Sequence, residues 1–248
     1  MRLLLPEAAP VTPEALVDAP RTAPAGRPWV LANMVASVDG ATAIAGESRG
    51  LSGPADRRVF HALRAQADAI MAAAGTVRAD RYGPARPDPA VQAARRERGR
   101  APVPPVVVVT RGLDLPWDAP LFTEAAVPTV VVCPEDAPAG GRARAAAAGV
   151  LIARGRGEAD LAAALGVLRR DGVQVLLCEG GPSLLARLAA DGVLDELWLT
   201  LSPRLVAGDA ARALRGPALD PPAAMAPAAA AEDDGFLFLR YLARRPAA

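Results

Sequence analysis

The sequence predicts an α/β fold with a mostly parallel central sheet, flanking helices and an antiparallel hairpin at the C-terminal end. Two observations carry this prediction. Short apolar segments without alternation, such as Val106–Val109, are typical of strands buried on both faces, and they alternate with segments of helical periodicity. Near the C-terminus, Asp233-Asp234-Gly235 separates two apolar segments in the manner of a hairpin turn.

The elements follow in a regular order. Residues 1–28, rich in proline and alanine, predict an extended arm or partly ordered tail before one domain over residues 29–248. The predicted strands are Trp29–Ala36, Ala69–Ala74, Val106–Val109, Val127–Cys133, Val150–Ile152, Val173–Cys178, Leu194–Leu201, Ala228–Glu232 and Phe236–Leu242. Helices are predicted from Ser52–Asp56 onward, near Gly75-Thr76, and over Gly140–Ala148, Glu158–Arg170 and Pro182–Ala190. Residues 83–105 predict a long surface loop with one helical turn around Val91–Arg98.

The composition excludes several chemistries. The 28 basic residues are all arginine, so Schiff-base catalysis through lysine and a Gly-Lys-Ser/Thr phosphate loop are excluded. One histidine, His61, and two cysteines cannot build a Cys/His zinc cluster, and we expect no metal.

Charge and hydropathy bear on partners and location. The formal net charge of +1 gives no long-range attraction to nucleic acid or to anionic membranes. No uninterrupted apolar segment approaches the length of a membrane span, and the first ten residues are too short for a secretory signal. We therefore expect a cytoplasmic enzyme or binding protein without nucleic-acid or membrane partners.

Three strand ends carry polar or glycine-rich segments, which matters because ligands bind at the carboxyl ends of strands in open parallel sheets. They are Ser37–Gly40, Gly75–Asp80 and Glu179–Leu184. In the third, two glycines permit close approach of a ligand to the backbone, and Pro182 opens a helix whose N–H groups favour an anion. Gly75-Thr76 offers a similar helix start, so both suit a pyrophosphate-bearing cofactor. The third segment is equally compatible with a plain tight turn.

Five motifs in order resemble the reductase domain of the bacterial riboflavin-biosynthesis deaminase-reductase, a relative of dihydrofolate reductase. They are Asn33–Gly40, Leu63–Ile70, Gly75–Asp80, Glu179–Leu184, and Val193–Leu197 followed by Ser202–Leu205. The resemblance implies a dihydrofolate-reductase-like three-layer fold, NADPH as cofactor and a homodimer. It also implies a small-molecule substrate, 5-amino-6-(5-phosphoribosylamino)uracil, whose ribosyl group is reduced to ribityl. A deaminase domain is not among the matched segments.

The resemblance also implies roles for individual residues. The cofactor contacts it implies are Thr76, Asp80, Arg111, Gly180, Gly181, Pro182, Ser183 and Leu184, with Arg111 on the adenosine 2′-phosphate. The substrate contacts it implies are Ser48, Arg64, Arg86 and Glu179. Asp39 and Glu179 are the candidate proton donors.

Alternatives remain at this point. Asp39 also suits a plain turn residue, Arg64 a surface residue paired with Asp68 at i+4, and Arg111 a solvated side chain. Ala41 stands where related reductases commonly carry a lysine or arginine, which keeps a dihydrofolate or pterin substrate open. A non-catalytic NADPH-binding protein is the third hypothesis.

Overall fold

A computed structural model describes residues 1–244 of the chain. They form two compact units. The first comprises residues 1–21, 30–66 and 178–244, and the second comprises residues 22–29 and 67–177. The predicted division into an N-terminal arm and one domain stays a prediction.

The described residues form eleven strands and eight helices. The strands are β1 (Arg2–Leu5), β2 (Ala9–Pro10), β3 (Trp29–Ser37), β4 (Ala69–Ala73), β5 (Val106–Val109), β6 (Thr129–Cys133), β7 (Gly149–Ala153), β8 (Val175–Cys178), β9 (Glu196–Ser202), β10 (Met225–Asp233) and β11 (Phe236–Ala243). The helices are α1 (Pro13–Val17), α2 (Pro54–Gln66), α3 (Ala74–Ala79), α4 (Pro89–Glu97), α5 (Pro120–Thr123), α6 (Ala139–Ala148), α7 (Leu161–Arg170) and α8 (Pro182–Ala190). None of the helices within residues 1–244 is long and apolar enough to cross a bilayer.

The first unit is a mixed sheet. Its strands follow the order β2-β1-β10-β11-β9-β3, and β3 pairs with β9 in parallel while the other pairs are antiparallel. The predicted hairpin is confirmed as β10 and β11, with Asp234 and Gly235 at positive φ in the turn. The antiparallel part is larger than predicted, because β1 pairs with β10 and β9 with β11.

The second unit is a parallel sheet with the order β8-β4-β5-β6-β7. The unbroken valines of β5 and β6 are buried along their whole length, as strands covered on both faces require. These parallel strands and the C-terminal hairpin confirm the predicted α/β class.

Within the surface loop predicted over residues 83–105, the single helical turn predicted around Val91–Arg98 is in fact the nine-residue helix α4. Asp88 caps α4, accepting a hydrogen bond from the Val91 amide, and Pro89 occupies the first turn. Arg95 is only 2% exposed, and its Nη1 donates to the carbonyl of Ala67 at 2.7 Å. Sequence patterning predicted only one turn of this helix because its buried anchor is an arginine.

A buried cluster of charges ties residues near the N-terminus to the sheet of the first unit. Glu196 on β9 accepts from Arg21 through both carboxylate oxygens, at 2.7 and 2.8 Å. The Nε of Arg240 on β11 and the indole Nε1 of Trp198 donate to the same carboxylate at 2.8 and 2.6 Å. Burial alone raises the pKa of Glu196, but the two arginines outweigh it and lower the pKa to about 2. The Trp198 side chain, which is 1% exposed, belongs to the buried core.

Gly149, the first residue of β7, meets the backbone of the neighbouring strand closely. A Cβ built there would lie 2.0 Å from the carbonyl oxygen of Thr129 on β6. We expect Gly149→Ala to lower the free energy of unfolding by about 3 kcal/mol or more, because backbone would have to move. Gly140→Ala in α6 is the matched control, since nothing lies within 4 Å of its Cβ. Urea denaturation showing equal stability for both variants would contradict this prediction.

Candidate active site

The candidate site of the first unit is built on an ion pair between Arg64 on α2 and Glu179, which follows β8. Arg64 Nε donates to Glu179 Oε1 and Nη2 donates to Oε2, both at 2.7 Å. The Glu179 side chain is 4% exposed and that of Arg64 is 22% exposed. A bidentate pair of this kind fixes both side chains in one plane. Asp68, the i+4 partner considered for Arg64, accepts from the amides of Gln174 and Val175, both at 2.9 Å.

An aromatic ring supports this pair. The guanidinium carbon of Arg64 lies 4.3 Å from the ring centroid of Phe60, one helical turn earlier on α2. The stacked ring holds the guanidinium plane in place, and the N–H groups at the edge of the guanidinium stay available for hydrogen bonds. The i, i+4 spacing of an aromatic residue and an arginine is the sequence signal that would have identified Phe60.

The turn after Glu179 is shaped for close approach. Gly180 has a φ of +98°, and a Cβ at this position would lie 3.4 Å from the sulfur of Met34 on β3. Gly181 is the N-cap residue of α8 and provides no side-chain hydrogen bond, and Pro182 fills the first helical position. The amides of this helix start suit an anionic group. Met34 is the neighbour of this turn, and the sequence alone did not identify it.

Asp39, which follows β3, is engaged by a neighbouring loop. Its carboxylate accepts from the hydroxyl of Ser37 and from the amides of Val206 and Ala207, the last at 2.7 Å. The Ser37 hydrogen bond, followed by that of the Ala207 amide, lowers the pKa of Asp39. These contacts favour an ionised acceptor over a proton donor.

Ser48 lies just after a compact turn of the first unit. Ile44 and Glu47 exchange backbone hydrogen bonds, with Ala45 and Gly46 between them at positive φ. The Ser48 carbonyl accepts from the amide of Leu51 at 2.9 Å. The turn thus defines the backbone position of Ser48.

The second unit holds the other predicted contact residues. Thr76 lies in the six-residue helix α3, and its carbonyl accepts from the amide of Asp80, which ends that helix. Arg111 follows β5 with its side chain 74% exposed, 3.6 Å from Glu158. Arg86 donates to Glu124 at 2.5 Å on an exposed surface.

A family model described as the RibD C-terminal domain matches residues 28–225 of the chain. The chain belongs to this family. The motif resemblance is therefore confirmed at the level of the family.

Two relatives of this chain carry the same name, 2,5-diamino-6-ribosylamino-4(3H)-pyrimidinone 5′-phosphate reductase. The one from Methanothermobacter thermautotrophicus is 32% identical over 188 residues, covering 76% of this chain and 83% of the relative. The one from Archaeoglobus fulgidus is 32% identical over 185 residues, covering 73% and 83%. A solved structure of a pyrimidine reductase-like protein from Corynebacterium diphtheriae matches with a TM-score of 0.83 and 22% identity, covering 95% of this chain and all of that one. The structural likeness supports the fold.

Proposed function

We propose that this chain is an NADPH-dependent reductase acting on a pyrimidine that bears a ribosylamino 5′-phosphate, and that it reduces the ribosyl group to ribityl. The observation that carries the proposal is the bidentate Arg64–Glu179 pair immediately before the glycine turn at Gly180. The family and the names of its relatives supply the substrate class.

The two pyrimidine forms in question differ at ring position 2. The relatives are named for the 2,5-diamino-pyrimidinone, whereas the sequence motifs led to the 5-amino-uracil form. Arg64 and Glu179 together present donors and acceptors in one fixed plane, which suits the polar edge of a planar ring. We assign substrate orientation to this pair and to Ser48, and the substrate phosphate to Arg86.

The residues present fit the cofactor. The positive-φ turn at Gly180 and the start of the nine-residue helix α8 suit a pyrophosphate group. Pro182, Ser183 and Leu184 form the first turn of that helix. When bound, NADPH supplies a hydride to the substrate.

The second unit contributes its own proposed cofactor contacts, Thr76 and Asp80.

Proton delivery is the remaining requirement of the reduction. Asp39 and Glu179 both stay candidates for it, since each carboxylate accepts hydrogen bonds, Asp39 from the amides of Val206 and Ala207 and Glu179 from Arg64.

Arg111 is proposed to contact the adenosine 2′-phosphate. We expect Arg111→Ala to raise the dissociation constant of NADPH about tenfold and to leave that of NADH unchanged. Glu158→Gln is the matched variant, because removing the carboxylate 3.6 Å from Arg111 strengthens NADPH binding. Fluorescence titration measures both cofactors. Equal loss for NADPH and NADH in Arg111→Ala would contradict the assignment.

The activity is tested by following NADPH oxidation with three substrates: the diamino-pyrimidinone ribosyl phosphate, its uracil counterpart and dihydrofolate. Turnover of either pyrimidine supports the proposal and identifies the ring. Turnover of dihydrofolate alone favours the pterin hypothesis. Tight NADPH binding without oxidation in any of the three would favour a non-catalytic binding protein.

We further propose a cytoplasmic homodimer formed through the sheet of the first unit. Along β9, residues alternate between buried and half-buried, and Leu199 and Leu239 lie on the half-buried face. This face also carries Arg2 and Glu232 side by side, so it is neutral and matches a second copy of itself. Leu199→Arg is expected to give a monomer in sedimentation velocity, whereas an unchanged dimer would contradict this interface.

A further inference from the structure

The helix that carries Arg64 begins against an aromatic ring of the C-terminal hairpin. Gly53 is buried directly before α2, and its carbonyl accepts a hydrogen bond from the Arg57 amide at 2.9 Å. A Cβ at Gly53 would lie 2.8 Å from Cζ and 3.0 Å from Cε2 of Phe236, the first residue of β11. The ring of Phe236 therefore occupies the space that a side chain at position 53 would need.

Phe236 is itself packed against the sheet of the first unit. Its ring is stacked near that of Phe238, with 6.4 Å between the ring centroids and 21° between the ring planes. Both side chains are buried, and Phe238 is the register partner of Thr200 on β9. Because a packed core has little free volume, the ring of Phe236 cannot move away from α2 without disturbing β9 and β11.

Residues on both sides of Gly53 are assigned to the substrate. Ser48 precedes Gly53, and the buried Leu51 between them donates its amide to the Ser48 carbonyl at 2.9 Å. Arg64 lies in the last turn of the uninterrupted helix α2. A helix moves as a stiff rod, so a shift of its first turn also shifts Arg64. The bidentate pair of Arg64 with Glu179 tolerates little displacement, because both of its hydrogen bonds depend on one relative orientation.

An ion pair joins the same two elements but differs in burial. Arg58 on α2 pairs with Asp233, the last residue of β10, at 2.6 Å, and the Arg58 side chain is exposed. Exposed ion pairs contribute little to the placement of the elements they join. The apolar contact between Gly53 and Phe236 is therefore the contact that fixes the start of α2.

We propose that Phe236 is a positioning residue of the reductase, which sets the place of Arg64 through its contact with Gly53. The inference rests on the proposed function and extends it to the C-terminal hairpin. Phe236 acts on binding of the ribosylamino pyrimidine phosphate, because Arg64 is assigned to that substrate. It follows that the fit between positions 53 and 236 governs the KM of the pyrimidine, while the dissociation constant of NADPH stays unchanged.

Reciprocal changes of side-chain size test the contact. Gly53→Ala is expected to raise the pyrimidine KM about tenfold, because the new Cβ pushes against the ring. Phe236→Leu removes the ring atoms that this Cβ would meet, and alone it is expected to raise the KM about fivefold, because it leaves a gap beside Gly53. The double variant Gly53→Ala/Phe236→Leu should recover most of the wild-type KM.

The matched control is Asp233→Asn, which removes the exposed ion pair and should change the KM less than about threefold. An unchanged KM in Phe236→Leu would overturn the inference, and so would a double variant no better than Gly53→Ala. Phe236→Leu introduces no clash, so it decides the question even if Gly53→Ala does not fold.

The Nε–H group of Arg64 provides a readout that does not require turnover. Its NMR signal reports the 2.7 Å hydrogen bond to Glu179 and is identified by its loss in Arg64→Ala. Exchange of this proton with water is expected to be faster in Gly53→Ala and Phe236→Leu, and close to wild type in the double variant. Reduced stability with unchanged exchange and unchanged KM would show a purely structural contact and overturn the inference. A wild-type chain that binds NADPH but oxidises none with any substrate overturns the reductase function instead, while the exchange rates still test the contact.

Discussion

Arg64→Ala is expected to lower kcat/KM for the pyrimidine substrate by about two to three orders of magnitude. The guanidinium makes two 2.7 Å hydrogen bonds to Glu179, so its loss leaves a carboxylate that is 4% exposed without this partner. Glu179→Gln is expected to cost less, about one to two orders, because the amide keeps the shape and one acceptor. Steady-state kinetics with NADPH in excess gives both values.

The control for this experiment comes from the same helix. Arg58 on α2 pairs with Asp233 at 2.6 Å, but its side chain is 52% exposed. Arg58→Ala is expected to change kcat/KM less than threefold, since exposed ion pairs contribute little. The double variant Arg64→Ala/Glu179→Ala should lose much less than the sum of the two single losses, because the residues act as one unit. Additive losses, or equal losses at Arg58 and Arg64, would contradict a shared role.

Glu196→Gln is expected to lower the free energy of unfolding by about 3 to 5 kcal/mol near neutral pH. The substitution leaves Arg21 and Arg240 facing a neutral amide in a buried place. The free energy of unfolding is measured by urea denaturation. Glu7→Gln changes an exposed position of the same unit. Its free energy of unfolding is expected to stay within about 0.5 kcal/mol of the wild-type value.

The same cluster gives a pH dependence with a definite sign. The pKa of Glu196 falls from 4.5 to about 2 on folding, so its stabilisation is complete above pH 4.5 and is lost as the pH falls through about 2. A shift of this size corresponds to about 3 kcal/mol. The stabilities of the wild type and Glu196→Gln should therefore converge between pH 4.5 and 2. A constant difference over that range would contradict a buried, ionised Glu196.

Local patterns were sufficient to predict much of the fold. The bounds of β5 and α8 agree with the sequence prediction, because an unbroken run of valines and a Gly-Gly-Pro helix start are local signals. Elements fixed by tertiary contacts were missed or predicted too short. The short strand β1 exists through its pairing with β10, and α4 is anchored by the buried arginine Arg95. No local pattern encodes such partners.

The same distinction applies to the candidate site. The motifs identified Arg64 and Glu179 separately, 115 residues apart, but periodicity suggested Asp68 as the partner of Arg64. The Asp39 contacts to Val206 and Ala207 involve backbone amides, which carry no residue-specific signal. Residue types were thus predictable, whereas their pairing required the folded chain.

The most direct test of the central claim follows a hydride label. The chain is incubated with NADPH that carries deuterium on the transferable position of the nicotinamide and with the pyrimidine ribosyl phosphate, and the product is analysed by mass spectrometry. The account predicts one deuterium on carbon 1 of a ribityl chain. Deuterium absent from the product, or found on the pyrimidine ring, would contradict it.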